Sequence, residues 1–355
     1  MNISVIIPTY NRVEQIGMVL DCFVKQDYPK DLYEILVIDN NSTDNTKTIV
    51  LEYCNNFADC KIKYVFEPIP GLISGRHRGA KESSGEILIF CDDDIQVESS
   101  ALKIVEKTFE LNSKIGLVGG KYLPNYQVSP PEWLDAFWDS TPYKGKSCGA
   151  LSLLDLGDEL LEIDACYVWG LFYAIRRDIL FECGGFHPDA CPIPYFRGDG
   201  ETGLSEEIKK RNIISLYNPA LVIKHDVSEN RMSKKYFLNR HYSQGISDSY
   251  TDIRKGKRDI ESFTNKKYLR IIKRFLSEIK ALLTKGHKAF FIKRLKNKCD
   301  IFLKKGYCFH NNVALNNTEI LHWVLKPDYW DYKYPSIQTL EGVTKLPDSN
   351  ITLHR

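Results

Sequence analysis

The sequence predicts an α/β fold, a mainly parallel sheet flanked by helices, with a helical C-terminal extension. Three observations predict it. Short β-branched runs at 4–7, 34–38, 63–66 and 87–90 alternate with amphipathic stretches of helix length through the first third of the chain. Polar segments follow the first, second and fourth of these runs, where ligands bind at the carboxyl edge of a parallel sheet. From about residue 249 onward the apolar spacing becomes helical and the charge becomes basic.

The first element reads as a strand, because Met1 to Pro8 carries no basic n-region and its apolar run stops at Pro8, so no export signal is expected. No apolar run approaches the roughly 20 residues of a bilayer-spanning helix. The 355 residues, 43% of them hydrophobic, suffice for one large domain and a smaller appendage. Ten cysteines without C-x-x-C spacing suggest neither zinc nor a redox motif, and a chain that is not exported keeps them as thiols in the cytosol. Pro, Gly, Trp and Tyr dominate 121–164, which predicts long substrate-contacting loops. Strand and helix signals return at 165–176 and 178–183, Gly184-Gly185-Phe186 turns the chain, and a helix at 205–211 and a strand at 213–223 are expected next. The expected division is a catalytic domain at 1–248, with halves at 1–120 and 121–248, and a basic helical extension at 249–355.

Chemistry concentrates after the strands. Asp92, Asp93 and Asp94 follow an apolar run, so their carboxylates emerge where a hard cation, Mg²⁺ or Mn²⁺, and a diphosphate can meet. A cluster at a helix start is the competing explanation. Asp39 can accept a hydrogen bond from a base NH, although the same Asp-Asn-Asn-Ser also suits a plain turn. Between Gly71 and Gly79, glycines and two arginines, Arg76 and Arg78, stand at the head of a helix, which suits an anion. The spacing is neither a dinucleotide fingerprint nor a Walker loop. Asp199 and Glu201, in a Gly-rich segment before a helix, can each act as a general base. His225 can join the metal as a neutral imidazole or serve structurally, and Arg231 and Arg240 can clamp a phosphate or remain solvated.

The net charge of +2 conceals an asymmetry. Residues 254–305 hold 18 Lys/Arg against four acids, whereas the rest of the chain holds 30 against 42. Such a block signals a partner and not a fold. An anionic membrane surface is one candidate and a packed or solvated helical bundle the other; nucleic acid is not expected.

Taken in order, these segments resemble the inverting family 2 glycosyltransferases, of GT-A fold with a Rossmann-like nucleotide-binding half, over about residues 1–245. Val5-Ile6-Ile7-Pro8-Thr9-Tyr10-Asn11-Arg12 is similar to the family's first-strand signature, which implies nucleotide contacts from Pro8, Thr9, Tyr10 and Arg12. Ile38 to Asp44 resembles its base-recognition motif around Asp39. Gly71 to Gly79 resembles its G-x-x-x-A-R-N-x-G segment, with Arg76 as the donor arginine and with Gly75 and His77 in place of Ala and Asn. The aspartate cluster resembles its metal motif, implying Asp92 and Asp93 at the donor and Asp94 on the metal. The family's catalytic loop has Glu-Asp before x-x-Leu; here Glu201 stands in the Asp position and Asp199 two residues upstream, so both remain candidates for the base. His225, Arg231 and Arg240 are similar to its closing segment, which implies a second metal ligand and two pyrophosphate contacts.

The resemblance implies a nucleotide-sugar donor, UDP-linked in most of the family, and transfer to a hydroxyl of a glycan or lipid-linked glycan in cell-surface polysaccharide synthesis. Trp169 and Gly170 are expected on the acceptor side, since aromatic faces pack against sugar rings. The expected setting is the cytoplasm, at the inner face of the membrane if the basic block binds lipid. A nucleotidyltransferase and a non-catalytic nucleotide-sugar-binding subunit are the alternatives.

Overall fold

The computed structural model describes residues 1–189, 193–257, 267–332 and 334. Four parallel strands, β1 (Ile3–Thr9), β2 (Tyr33–Asp39), β3 (Lys61–Phe66) and β4 (Ile87–Cys91), are ordered β3-β2-β1-β4. They are the four expected runs, each one to three residues longer. Every residue of β1 and β4 is buried, as continuous apolar strands covered on both faces must be. Between the strands run α1 (Ile16–Val24), α2 (Thr46–Asn56) and α3 (Leu72–Glu82).

Glycines let α3 lie close on β1. A Cβ at Gly79 would stand 2.3 Å from Ile6 Cγ2, and one at Gly75 would stand 3.1 Å from Pro8 Cβ. The close approach carries the head of α3, with Arg76, to the carboxyl edge of the sheet.

Beyond β4 come β5 (Ile95–Val97), α4 (Ala101–Glu110) and β6 (Ile115–Tyr126). The tract expected as long loops instead continues the sheet, with β7 (Asp139–Ser140), β8 (Lys146–Cys148), β9 (Leu153–Asp155) and β10 (Leu161–Glu162). Strands of two or three residues are too short to show an alternating pattern, so their sequence reads as loop. After β11 (Phe172–Arg176), which lies antiparallel between β4 and β6, follow α5 (Arg177–Glu182), α6 (Glu201–Lys210) and β12 (Ile214–Val227). β12 runs parallel to β6 and antiparallel to β5 and β10. The sheet is therefore mixed, parallel through its first four strands and again between β6 and β12.

Helix α7 (Lys234–Arg254) runs unbroken through position 248, where a domain boundary was expected. It packs against α8 (Lys267–Asn316) at very short range: Cβ atoms at Gly245 and Gly306 would stand 1.8 Å from Leu303 O and 1.9 Å from Tyr242 O. α8 is interrupted at Gly286 (φ 79°, ψ −175°). There the chain reverses, because Asn297 Nδ2 donates to Glu278 Oε1 at 2.8 Å and to Arg274 O at 3.4 Å. After α9 (Thr318–Val324), Tyr329 and Trp330 lie across α3. His77 Nδ1 lies 3.1 Å from Tyr329 O, and the His77 ring stacks on Trp330. No helix among the described residues is long and apolar enough to cross a membrane. The nine described cysteines are free thiols; Cys191 lies outside the described residues.

Candidate active site

Strand register builds the site. Thr9 pairs with Asp39, Asp39 with Phe66 and Ile6 with Phe90, so β1 to β4 end along one edge. Against that edge lies a cleft of about 310 Å³, lined by the β1 loop from Pro8 to Arg12, Asn40, the head of α3 at Gly71 and Leu72, the aspartates 92–94, and Arg231.

The three aspartates face different partners. Asp93 accepts a hydrogen bond from Thr9 Oγ1 at 2.7 Å and stands 3.5 Å from Arg12 Nε, so it fixes the β1 loop. Burial and the neighbouring Asp94 push its carboxyl up to about 6, against Arg12 and Thr9. Asp92 turns to Arg76, 3.6 Å away. Burial pushes Asp92 up to about 7, opposed by Arg76 and reinforced by the other two aspartates. Its side chain is 37% open to the cleft, and water there limits the rise.

Asp94 meets His225 and Arg231. β12 pairs antiparallel with β5, placing His225 opposite Ile95, and Asp226 N donates to Asp94 O at 2.9 Å. His225 Nε2 comes within 3.5 Å of Asp94 Oδ1, and Arg231 Nη2 donates to Asp94 Oδ2 at 2.9 Å. Burial would raise the Asp94 carboxyl, but His225 and Arg231 outweigh it and hold it well below the usual carboxylate range.

His225 Nδ1 lies 2.8 Å from Leu151 O and Arg231 Nη1 donates to Nε2, so the imidazole donates through Nδ1 and its Nε2 lone pair is taken by Arg231 beside Asp94. Asp94 Oδ1 is buried and accepts no hydrogen bond. The Asp94 oxygen fits a divalent cation whose remaining ligands are phosphate oxygens and water, and His225 Nε2 would join it where Arg231 moves from the imidazole to the phosphate. Among the described residues no group of three or more His, Cys, Asp or Glu is disposed to hold an ion by itself.

Arg76 links the aspartates to the catalytic loop. It is 3% exposed, lies over the Phe186 ring at 4.9 Å, donates to Gly170 O at 3.2 Å and stands 3.6 Å from Glu201 Oε2. Glu201 Oε1 accepts the Gly170 N–H at 3.0 Å. A Cβ on Gly170 would lie 2.2 Å from Arg76 Nη2, so only glycine lets its backbone approach this close. Gly170 thus contacts the arginine and the glutamate, while Trp169 beside it donates its indole N–H to Cys166 O.

Asp199 points elsewhere. Its side chain is 4% exposed, bonds His187 Nδ1 at 2.7 Å and accepts from Thr251 Oγ1 at 2.7 Å, tying the loop before α6 to α7. Of the two carboxylates expected as base, Glu201 adjoins the Arg76–Asp92 corner and Asp199 does not. Arg240 sits half-buried on α7 and does not line the cleft. Asp39 lies under the cleft edge, accepting from Ser42 N at 2.9 Å and Tyr64 Oη at 2.7 Å.

Two working residues escaped sequence reasoning. Asn40 holds the loop before α3: its Oδ1 accepts from Gly71 N at 2.7 Å and its Nδ2 donates to Ile69 O at 2.6 Å. Its place directly after Asp39 was the available signal, but the long-range partners were not. His77 points away from the cleft; Phe186 N donates to its Nε2 at 2.9 Å, so its proton sits on Nδ1, facing Tyr329 O. Burial drives its pKa down to about 3, which keeps it neutral.

Residues 4–180 match the family model described as glycosyl transferase family 2. The chain belongs to that family. Glu201, His225 and Arg231 lie beyond the matched segment of this family 2 chain. It is 36% identical to the glycosyltransferase AglE of Haloferax volcanii over 118 residues, 33% of this chain and 38% of that one, so it spans little more than a third of that relative's length. It is 22% identical over 263 residues to the glucosyl-dolichyl phosphate glucuronosyltransferase of the same organism, covering 71% of this chain and 78% of that protein. Among solved structures, the mannosyltransferase of Pyrobaculum calidifontis, in complex with GDP-Man and Mn²⁺, superposes with a TM-score of 0.56 at 18% identity, over 87% of this chain and 86% of that one. At that identity the likeness establishes the fold, a GT-A-like mixed sheet flanked by helices with a helical C-terminal region.

Proposed function

We propose that this family 2 chain transfers a sugar, with inversion, from a UDP-linked donor to a hydroxyl of a glycan or lipid-linked glycan in cell-surface polysaccharide synthesis, at the cytoplasmic side of the membrane. The observation that carries the reading is the Arg76 corner, where one buried guanidinium touches Asp92, Glu201 and the Gly170 carbonyl beside the cleft. The relatives support the acceptor class, since two of them by name act on poly(ribitol phosphate) and on an undecaprenol-linked glycan.

Each residue has a task in this reading. The β1 loop and Asn40 frame the nucleotide, and Asp39, with two hydrogen bonds already accepted, retains acceptor capacity for a base NH. Glu201 takes the proton of the acceptor hydroxyl at a carboxylate oxygen, and the hydroxyl oxygen attacks the face of the anomeric carbon opposite the leaving diphosphate. Arg76 holds Glu201 in place by charge and by the shared Gly170 peptide. Arg231 neutralises charge on the departing diphosphate. Asp94 and His225 would hold a divalent cation, Mn²⁺ or Mg²⁺, which when bound supplies Lewis-acid stabilisation of that diphosphate.

The test is thermal stabilisation and slow donor hydrolysis with UDP-, GDP- and dTDP-sugars, with and without Mn²⁺ or Mg²⁺, beside Asp94→Ala. Metal-dependent stabilisation by one donor, lost in the variant, is expected. No response to any donor under either metal refutes the reading.

A further inference from the structure

The hairpin of α8 gathers apolar side chains that the fold leaves uncovered. Among the described residues the five most exposed large apolar side chains are Leu283 (80%), Leu111 (62%), Phe275 and Phe291 (61% each) and Leu276 (58%). All but Leu111 lie between residues 275 and 291. The sequence pattern pointed to a basic segment with helically spaced apolar residues. In the structure Ile279 and Leu282 are half-buried, while Phe275, Leu276 and Leu283 face solvent.

These residues are not loose ends of an incomplete core. The second arm of α8 is anchored on the body through Leu295 and Cys299, buried with Leu134, Phe137 and Phe237, and the first arm is held to the second through Asn297. A fixed hairpin therefore presents its turn outward.

Charge selects the occupant. Residues 267–298 contain eleven Lys/Arg and one carboxylate, Glu278, which already accepts from Asn297. On the first arm Lys273, Leu276, Lys280 and Leu283 are all exposed at the spacing of one helical face. Lys285 and Lys288 flank the turn at Gly286. Leucines interleaved with cations on a projecting helix match an interface where phosphates take the ammonium groups and acyl chains take the leucines. No described helix spans a bilayer, so contact would be peripheral.

We infer that the α8 hairpin docks on an anionic phospholipid surface, with Leu276 and Leu283 entering between headgroups and Lys273, Lys280 and Lys285 on the phosphates. The second arm rests beside Trp133 and Lys234, and α7 begins at Lys234, three residues after the cleft residue Arg231. Docking thus brings the cleft's Arg231 side to the lipid, where a lipid-linked acceptor presents its sugar. Only this acceptor statement rests on the proposed function; the docking surface is tested without any transfer reaction.

The experiment is flotation of the full chain with vesicles of equal phosphatidylglycerol and phosphatidylcholine, against phosphatidylcholine alone, at low and high salt. Binding to the anionic vesicles at low salt, lost on neutral vesicles and weakened by salt, is expected. Leu276→Ser with Leu283→Ser should lower binding about tenfold, and Lys280→Glu with Lys285→Glu by at least as much. Donor-induced thermal stabilisation should be the same in both variants as in the parent chain. Absence of flotation at low salt, or equal flotation of the variants, overturns the inference. So does self-association in sedimentation without lipid that the leucine variant abolishes, which assigns the surface to a second copy. Flotation without any donor response leaves the docking standing and removes the proposed function.

Discussion

Replacing Gly170 by alanine tests the Arg76 corner without deleting a charged group. The new Cβ would stand 2.2 Å from Arg76 Nη2 and 3.0 Å from Cζ and Nη1, where ordinary contact begins at 3.4 Å. The guanidinium must therefore retreat by more than 1 Å. It cannot do so freely, because Phe186 lies on its face and Asp92 and Glu201 on its edge. A misplacement of about 1 Å in a catalytic arrangement costs on the order of 10²-fold, and overpacking a filled site costs about 1–3 kcal/mol of stability. We expect kcat/KM for sugar transfer to fall about 10²-fold while the variant still folds, with a lowered Tm. Arg76→Lys, which keeps the charge but loses the planar fork, should behave similarly in kcat/KM. If Gly170→Ala retains kcat/KM within about twofold, a margin far below that cost, Arg76 does not act from this position and the argument for the corner fails.

Glu201→Gln should lower kcat by about 10²- to 10⁴-fold with little change in Tm. Asp199→Asn should instead lower Tm by weakening the His187 and Thr251 bonds and leave most of kcat; the opposite pattern would reassign the base. Asn40→Ala removes the partners of Gly71 N and Ile69 O and should cost about 1–3 kcal/mol in urea unfolding, with weaker donor-induced stabilisation. Buried neutral His77 and His310, held down to about 3 and about 4, make stability fall with acid. Above the ordinary histidine pKa of about 6.5 neither state takes up a proton and they contribute nothing; below it only the unfolded chain does, so each costs about 1.4 kcal/mol per pH unit, or about 2 kcal/mol by pH 5. His77→Asn should remove about half of that histidine-linked slope in urea titrations between pH 7 and 5, and an unchanged slope would show that His77 is not kept neutral in the fold.

Strands β1 to β4 were legible because each is a continuous β-branched run, and their loops because polar residues at strand ends have few structural reasons to cluster. The ambiguity between Glu201 and Asp199 was not resolvable from spacing. It is decided by His187, Thr251 and Gly170, partners 12 to 52 residues away along the chain. Nor could the pattern show that Arg231 would stand against both Asp94 and His225, since that contact depends on β12 pairing with β5. The short strands β7 to β10 were hidden for lack of periodicity, and the crossing of α3 by residues 329–332 because isolated aromatics carry no register.

His77 is a junction of three distant stretches. A ring in α3 receives an N–H from Phe186 and faces a carbonyl at Tyr329, so the segment shared with the family and the segments outside it close on one imidazole. What the family inherits as a recognisable unit, residues 4–180, is thus not what the molecule stabilises as a unit. Cut at residue 180, the chain would lose β12 from beside β6 and leave His77 with neither partner. Such a fragment should show unprotected amides in α3 by hydrogen exchange; native-like protection there would mean that the nucleotide half folds unaided.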